Sequence, residues 1–508
     1  MRNFSLNLAI VFLMSSAPAT SAVAHDHPVP EKLGAVTFPT SCDLSVQADF
    51  NRAIALLHSF AYSASEEAFR DVARRDTHCA MAWWGMAMTH YHQLWEPPIE
   101  GDELNQGAAQ IRSAENMTEA TPREHAFIAA LDLYYRDAEH STSSTRAARY
   151  ANAMAELARD NPKDDEAQIF YALSLIATAS PSDKTHTNQK RAADILEPIY
   201  SRQPDHPGLA HYLIHAYDSA ELAPRGLAAA RAYSRIAPSA PHALHMPSHI
   251  FTRLGLWDDS IASNLAARVA AHAQNDIGEE LHAMDYLTYA YLQRGRADEA
   301  RQVVADSRAM AGLAVNRFKI GYAATAMPAR LALEQHDWDA AQHLEQLPGT
   351  APQVAAIVFW ARALGHARAA IKTSADADIA QLQACLDALN AKGDTYWAAE
   401  TRAMLKSAQG WRFAAQGDAK SALASLRAAA DQEDGLEKLP VTPGPIIPAR
   451  EQLGELLLIL GQPKPALNEF RSALALAPAR RGALMGAIAA ANELGDTETV
   501  TRLRASLK

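Results

Sequence analysis

Leu254-Gly-Leu-Trp-Asp-Asp-Ser-Ile261 ends one helix on a glycine, turns, and opens the next with two acids in its first turn. Glycine readily takes the left-handed conformation that closes a helix, and carboxylates near an N-terminus complement its dipole. The same punctuation recurs at Arg294-Gly-Arg-Ala-Asp-Glu-Ala300, Gln335-His-Asp-Trp-Asp-Ala-Ala341, Gln416-Gly-Asp-Ala-Lys-Ser-Ala422 and Leu460-Gly-Gln-Pro-Lys-Pro-Ala466. Several second helices finish on Ala-Pro, as at Ala237-Pro238 and Ala477-Pro478, where proline stops the helix. Working outward, helix, short turn, helix repeats from about residue 44 to the C-terminus. With 48% hydrophobic residues and only 23 glycines in 508 residues, the composition points to an all-helical chain. One ordinary core would not serve this length, whereas an array of units packed on their neighbours would.

The period of about 34 to 45 residues, with small residues where two helices approach, resembles the tetratricopeptide repeat family. The resemblance covers nearly all of the chain after its first residues, with degenerate repeats between about residues 95 and 200. Leu56-Leu-His-Ser-Phe60, Cys79-Ala-Met-Ala-Trp-Trp-Gly85, His211-Tyr-Leu-Ile-His-Ala-Tyr-Asp218 and His242-Ala-Leu-His-Met-Pro-Ser-His-Ile-Phe251 make it similar to exported bacterial members. It implies an all-α solenoid, a right-handed superhelix of about a dozen hairpins, with the first helix of each pair on the concave face. It carries no activity with it.

The first residues read as an export signal: an apolar run from Phe4 to Met14, then Ala22-Val-Ala24 as a cleavage site after Ala24. The run is too short to span a bilayer, and no later stretch approaches the roughly 20 apolar residues a span needs. An exported, periplasmic protein is expected. The organisation read from sequence is 1–24 signal peptide, 25–43 extended segment, 44–438 repeat array with a His-rich groove, 439–448 Pro-rich loop and 449–508 C-terminal hairpins. Cleavage would leave His25-Asp26-His27 at the N-terminus, where a free amine, two amides and His27 can wrap square-planar Cu(II) or Ni(II), unless the segment is simply a polar tail. Export permits disulfides: Cys42 and Cys79 flank the first hairpin and are expected to be bridged, with Cys385 buried and free. A net charge of −11 without a basic run excludes nucleic acid and anionic membrane as expected partners.

The chemistry concentrates between His211 and His249. On a helix, positions i, i+3, i+4 and i+7 share a face. His211, His215 and Asp218 fit one such face, and His242, His245 and His249 another, with Pro247 blurring the second. The next first helix carries His282 and Asp285 one turn apart. The spacing predicts one shared site at the floor of the groove, formed by His211, His215, His245, His249 and His282. Asp218 and Asp285 serve as further ligands or orienters, and His242 sits aside at the helix start beside Pro241. Imidazole suits Cu, Zn and Fe, while metal-free hydrogen-bonded histidines explain the same spacing. His58, His90 and His92 are secondary candidates on the first two inner helices.

Leu439-Pro-Val-Thr-Pro-Gly-Pro-Ile-Ile-Pro448 is stiff, and is either a wall across the groove or a spacer. Nucleophile elbow, phosphate loop, dinucleotide fingerprint, His-Glu-x-x-His and Cys-x-x-Cys are all absent from the sequence. The expected function is a His-rich transition-metal site in a repeat groove, for storage, delivery or metal-dependent catalysis. The alternative is a metal-free scaffold that binds a peptide, envelope protein or small molecule.

Overall fold

The computed structural model describes residues 31–94, 98–369 and 374–507. The predicted signal peptide, His25 and His27 lie outside them. Among the described residues there are 25 α-helices, one 3-10 turn and no strands. Residues Lys32–Lys508 form one compact unit. Sequential helices pack as antiparallel hairpins in a tetratricopeptide-like solenoid, as the punctuation predicts.

The turn chemistry explains the hairpins. Gly255, Gly295, Gly417 and Gly461 all take positive φ at helix ends, and His336 takes the same conformation in the one signature that lacks a glycine. At Gly255 the requirement is twofold, because a Cβ there would lie 2.4 Å from the Pro478 carbonyl oxygen. That close approach, with Trp257 Nε1 donating to Ala479 O at 3.0 Å, ties a central hairpin to the C-terminal repeats. Nearby, Arg481 N donates to Gln293 Oε1, and the buried Arg480 pairs with Glu334 and Glu451. The last two hairpins therefore fold back onto the middle of the array.

The N-terminal segment is packed down by aromatic burial. Phe38 is fully buried, with ring centroids of Phe50, Trp84 and Phe127 5.2–5.7 Å away. Cys42 and Cys79 are bridged across the first hairpin, and Cys385 is free and buried, both as expected.

The Pro-rich segment is a wall. The single Tyr286 hydroxyl proton is shared between the segment's carbonyls at Pro440 (3.3 Å) and Thr442 (3.2 Å), and those at Pro445 and Gly444 accept from Arg330. Just before it, Lys438 Nζ reaches Asp218 at 2.7 Å and Glu437 N donates to Pro181 O at 2.8 Å. A spacer would not make these bonds across the array, so the spacer reading fails.

Candidate metal centre

Three hairpins supply the histidines. Pro207, at the first turn where a missing N–H costs nothing, opens the helix Pro207–Ala216 that carries His211 and His215. Gly208 on this helix gives His58 its space, since a Cβ there would lie 2.7 Å from His58 Nδ1. Pro247 splits the next first helix into Pro241–His245 and Pro247–Leu254, but Met246 between them keeps helical angles (φ −53°, ψ −36°). The axis therefore continues, and His242, His245 and His249 stay on one face. Asp276 caps the helix Ile277–Gln293, which carries His282.

The predicted single site divides into two adjacent triads. His211, His215 and His242 offer nitrogens within 4.8 Å of one another, and so do His245, His249 and His282. Each i, i+4 pair closes on itself: Nε2 of His211 lies 3.1 Å from Nε2 of His215, and His245 and His249 repeat the same distance. The stacked hairpins hold the pairs on separate axes, so neighbouring rings across the two triads sit 5.9 Å apart (His215 and His249). His242, set aside by its place next to Pro241, instead completes the first triad, 5.0 Å ring to ring from His211.

What faces the outer edges of the rings decides the tautomers. His211 Nδ1 is 2.6 Å from the His58 carbonyl oxygen, a pure acceptor, so it carries the proton. His245 Nδ1 is 2.6 Å from Asn264 Oδ1, whose amide orientation is fixed because Asn264 Nδ2 donates to Ser260 O. His249 Nδ1 donates to Asp218 and His242 Nδ1 to Glu279. These outer oxygens leave the inner Nε2 atoms of His211, His245 and His249 as lone pairs, the usual arrangement behind a metal-bound imidazole.

The site is buried, with all six rings at most 7% exposed. Burial, reinforced by the neighbouring imidazoles, holds His211, His215, His245 and His282 well below the ordinary histidine range. Burial also brings His249 to about 4, against the pull of Asp218. Burial alone would raise Asp218, but Lys438, Arg253 and His249 outweigh it and hold the carboxyl well below its ordinary value. Glu279 follows the same logic with Lys319 and His242. Neutral rings backed by ionised carboxylates result.

His58 belongs elsewhere. With His206 it grips Glu166, each Nε2 3.0 Å from one carboxylate oxygen, while His58 Nδ1 meets Tyr212 Oη at 2.9 Å. Burial would raise Glu166, yet the two histidines bring it to about 2, and the ionised carboxylate accepts an N–H hydrogen bond from each ring. This cluster is hydrogen-bonded within itself, and it sets the His58 carbonyl against His211. His90 and His92 lie near Glu103 (4.0 and 3.5 Å) and outside both triads. Asp285 turns away from the histidines toward the fully buried Arg330 (3.6 Å), the residue that also holds the Pro-rich wall. Asp218 stands behind the second triad, its oxygens going to His249, Arg253 and Lys438.

Sequence reasoning missed Asn264, Glu279, Glu166, His206 and Tyr286. Asn264 and Glu166 lie on helices that carry none of the triad histidines, where only packing reveals them. Glu279 had a usable signal, three residues before His282 on the same helix.

No family model matches the sequence, and no match is found among curated proteins. Among solved structures the chain is similar to the APC/C hetero-tetramer Cut9–Hcn1, with 11% identity, a TM-score of 0.39, and 88% of this chain and 76% of that one covered. It is also similar to the human IFIT1 dimer with m7Gppp-AAAA, with 10% identity, a TM-score of 0.37, and 84% and 89% covered. Likeness at this level carries no argument about function.

Proposed function

We propose that this chain is an exported helical-repeat metalloprotein that holds transition-metal ions in its paired histidine triads. One observation carries the reading. His245 and His249 have their Nδ1 protons committed outward to Asn264 and Asp218, so their inward Nε2 lone pairs face each other at 3.1 Å. The Tyr286 hydroxyl, 3.3 Å from His249 Nε2, has one proton and two backbone carbonyls competing for it. Two buried acceptors in contact repel unless a cation lies between them. With metal–nitrogen bonds of about 2.0–2.1 Å, nitrogens at this separation subtend about 95–102° at an ion, between octahedral and tetrahedral angles.

All-imidazole sets suit Cu, Zn and Fe, and the ionised Asp218 and Glu279 behind the rings offset the ion's charge. Burial of all six rings favours an ion retained in place over one presented to a bulky substrate. The Cys42–Cys79 bridge is compatible with export. Elemental analysis of tag-free protein, purified and then reloaded with each ion, tests the reading. Stoichiometric metal is expected, lost in part in His245→Ala/His249→Ala and in part in His211→Ala/His215→Ala. Folded protein that takes up no stoichiometric metal sinks the proposal and leaves the metal-free scaffold.

A further inference from the structure

A cavity lies against the Pro-rich wall, which contributes Thr442 and Pro443–Pro445 to its lining. It holds about 140 Å³ of solvent-reachable space, and Tyr289, Tyr322, Tyr396, Trp397 and Met404 line it under Pro443–Pro445. Glu400 and Glu433 also line it. The other charged groups there are already matched. Arg450 is held by Asp431, Asp434 and Glu469, Arg253 and Lys438 by Asp218, and Lys184 by Glu437. Glu400 and Glu433 have no ion-pair partner among the described residues; Glu433 Oε1 accepts only the Ala449 N–H at 2.8 Å. A second feature also lacks its partner: Trp397 is 5% exposed and its indole Nε1–H meets no acceptor among the described residues.

We propose that this cavity binds a small organic ammonium, its positive charge between Glu400 and Glu433 and its body against the aromatic rings. Aromatic faces attract cations, and an ammonium also supplies the counter-charge that two neighbouring half-buried carboxyls lack. The free indole N–H is a donor for an oxygen on the ligand. Burial raises Glu400 to about 7, and burial together with Glu400 raises Glu433 to about 8, as expected of carboxyls that lack a cation. Tyr396 lowers Glu400, and the Ala449 N–H and Arg480 lower Glu433, without cancelling these shifts. The cavity shares Thr442 with the wall that Tyr286 holds, but its binding does not depend on metal in the triads.

Isothermal titration calorimetry with tyramine and with tyrosol, its neutral alcohol analogue, separates charge from body shape. Tyramine is expected to bind saturably to both metal-loaded and chelator-treated protein. At pH 7 it should release protons, read as a dependence of the heat on the buffer's ionisation enthalpy. Tyrosol should bind roughly tenfold or more weakly, and Glu400→Gln/Glu433→Gln should weaken tyramine by a similar factor. The single variants, whose melting curves show whether the fold is kept, should each lose part of the affinity. Equal affinities for tyramine and tyrosol, or tyramine binding unchanged in a folded double variant, overturn the proposal. So does the absence of saturable tyramine binding. A loss of metal uptake leaves these results unmoved, so failure of the metal centre and failure of the cavity are separable.

Discussion

At the scale of single residues, the centre depends on what stands behind each ring. Asn264 offers one oxygen to His245 and locks it by giving its own N–H₂ to Ser260. Asn264→Leu removes that acceptor and frees His245 to take the other tautomer. The expected outcome is roughly 10–100-fold weaker metal binding in chelator competition, with the fold retained. Gly208 acts through space instead. Gly208→Ala places a methyl 2.7 Å from His58 Nδ1 and should cost about 1–3 kcal/mol in urea unfolding, with displacement of the His58 carbonyl from His211.

Glu400 and Glu433 act through protonation. Each has a folded pKa raised above its ordinary 4.5, to about 7 and about 8. The folded state therefore holds these protons longer than the unfolded chain does. Stability is unaffected by them below about pH 4.5, falls as pH rises toward 7–8, and levels off above. Glu400→Gln/Glu433→Gln should melt higher than the parent at pH 8.5 and close to it at pH 4, a comparison calorimetry can make. A parent that gains stability over that interval relative to the variant contradicts the assignment.

At the scale of elements, the bridge between Cys42 and Cys79 closes a separation of 37 residues and fastens the extended segment to the first hairpins. Its removal in Cys42→Ser/Cys79→Ser should lower stability by roughly 3–4 kcal/mol in the chain-entropy account, read from denaturant midpoints. The split helix Pro241–Leu254 teaches a different lesson. Proline at 247 deletes one backbone bond, yet Met246 keeps its helical angles and the histidine face survives. The Pro-rich wall is likewise defined by its bonds to Tyr286, Arg330 and Arg480 rather than by its own conformation.

At the scale of the whole molecule, the array turns back on itself, and Arg480 is its fastening. The guanidinium is fully buried and reaches Glu334, Glu451 and Tyr289 on three separate helices. Arg480→Ala strips the counter-charge from two buried carboxylates and should destabilise by about 3–5 kcal/mol, seen as a lower thermal midpoint. Lys438 makes a similar long connection to Asp218 and so links the wall to the second triad.

Repeat punctuation, the bridged cysteine pair and the helical faces of His211/His215 and His245/His249 were legible in the sequence because each depends on residues a few positions apart. Periodicity says which side chains share a face. It does not say which ring from another hairpin completes a triad, and so it placed His242 aside and Asp285 at the site. Those choices depend on the His58 carbonyl, Asn264, Asp218 and Arg330, which approach from helices far apart along the chain. Local spacing determined the hairpins and the histidine stripes. Only tertiary packing decided that the stripes form two triads, because an imidazole's partner and tautomer are set by the atoms on both its edges.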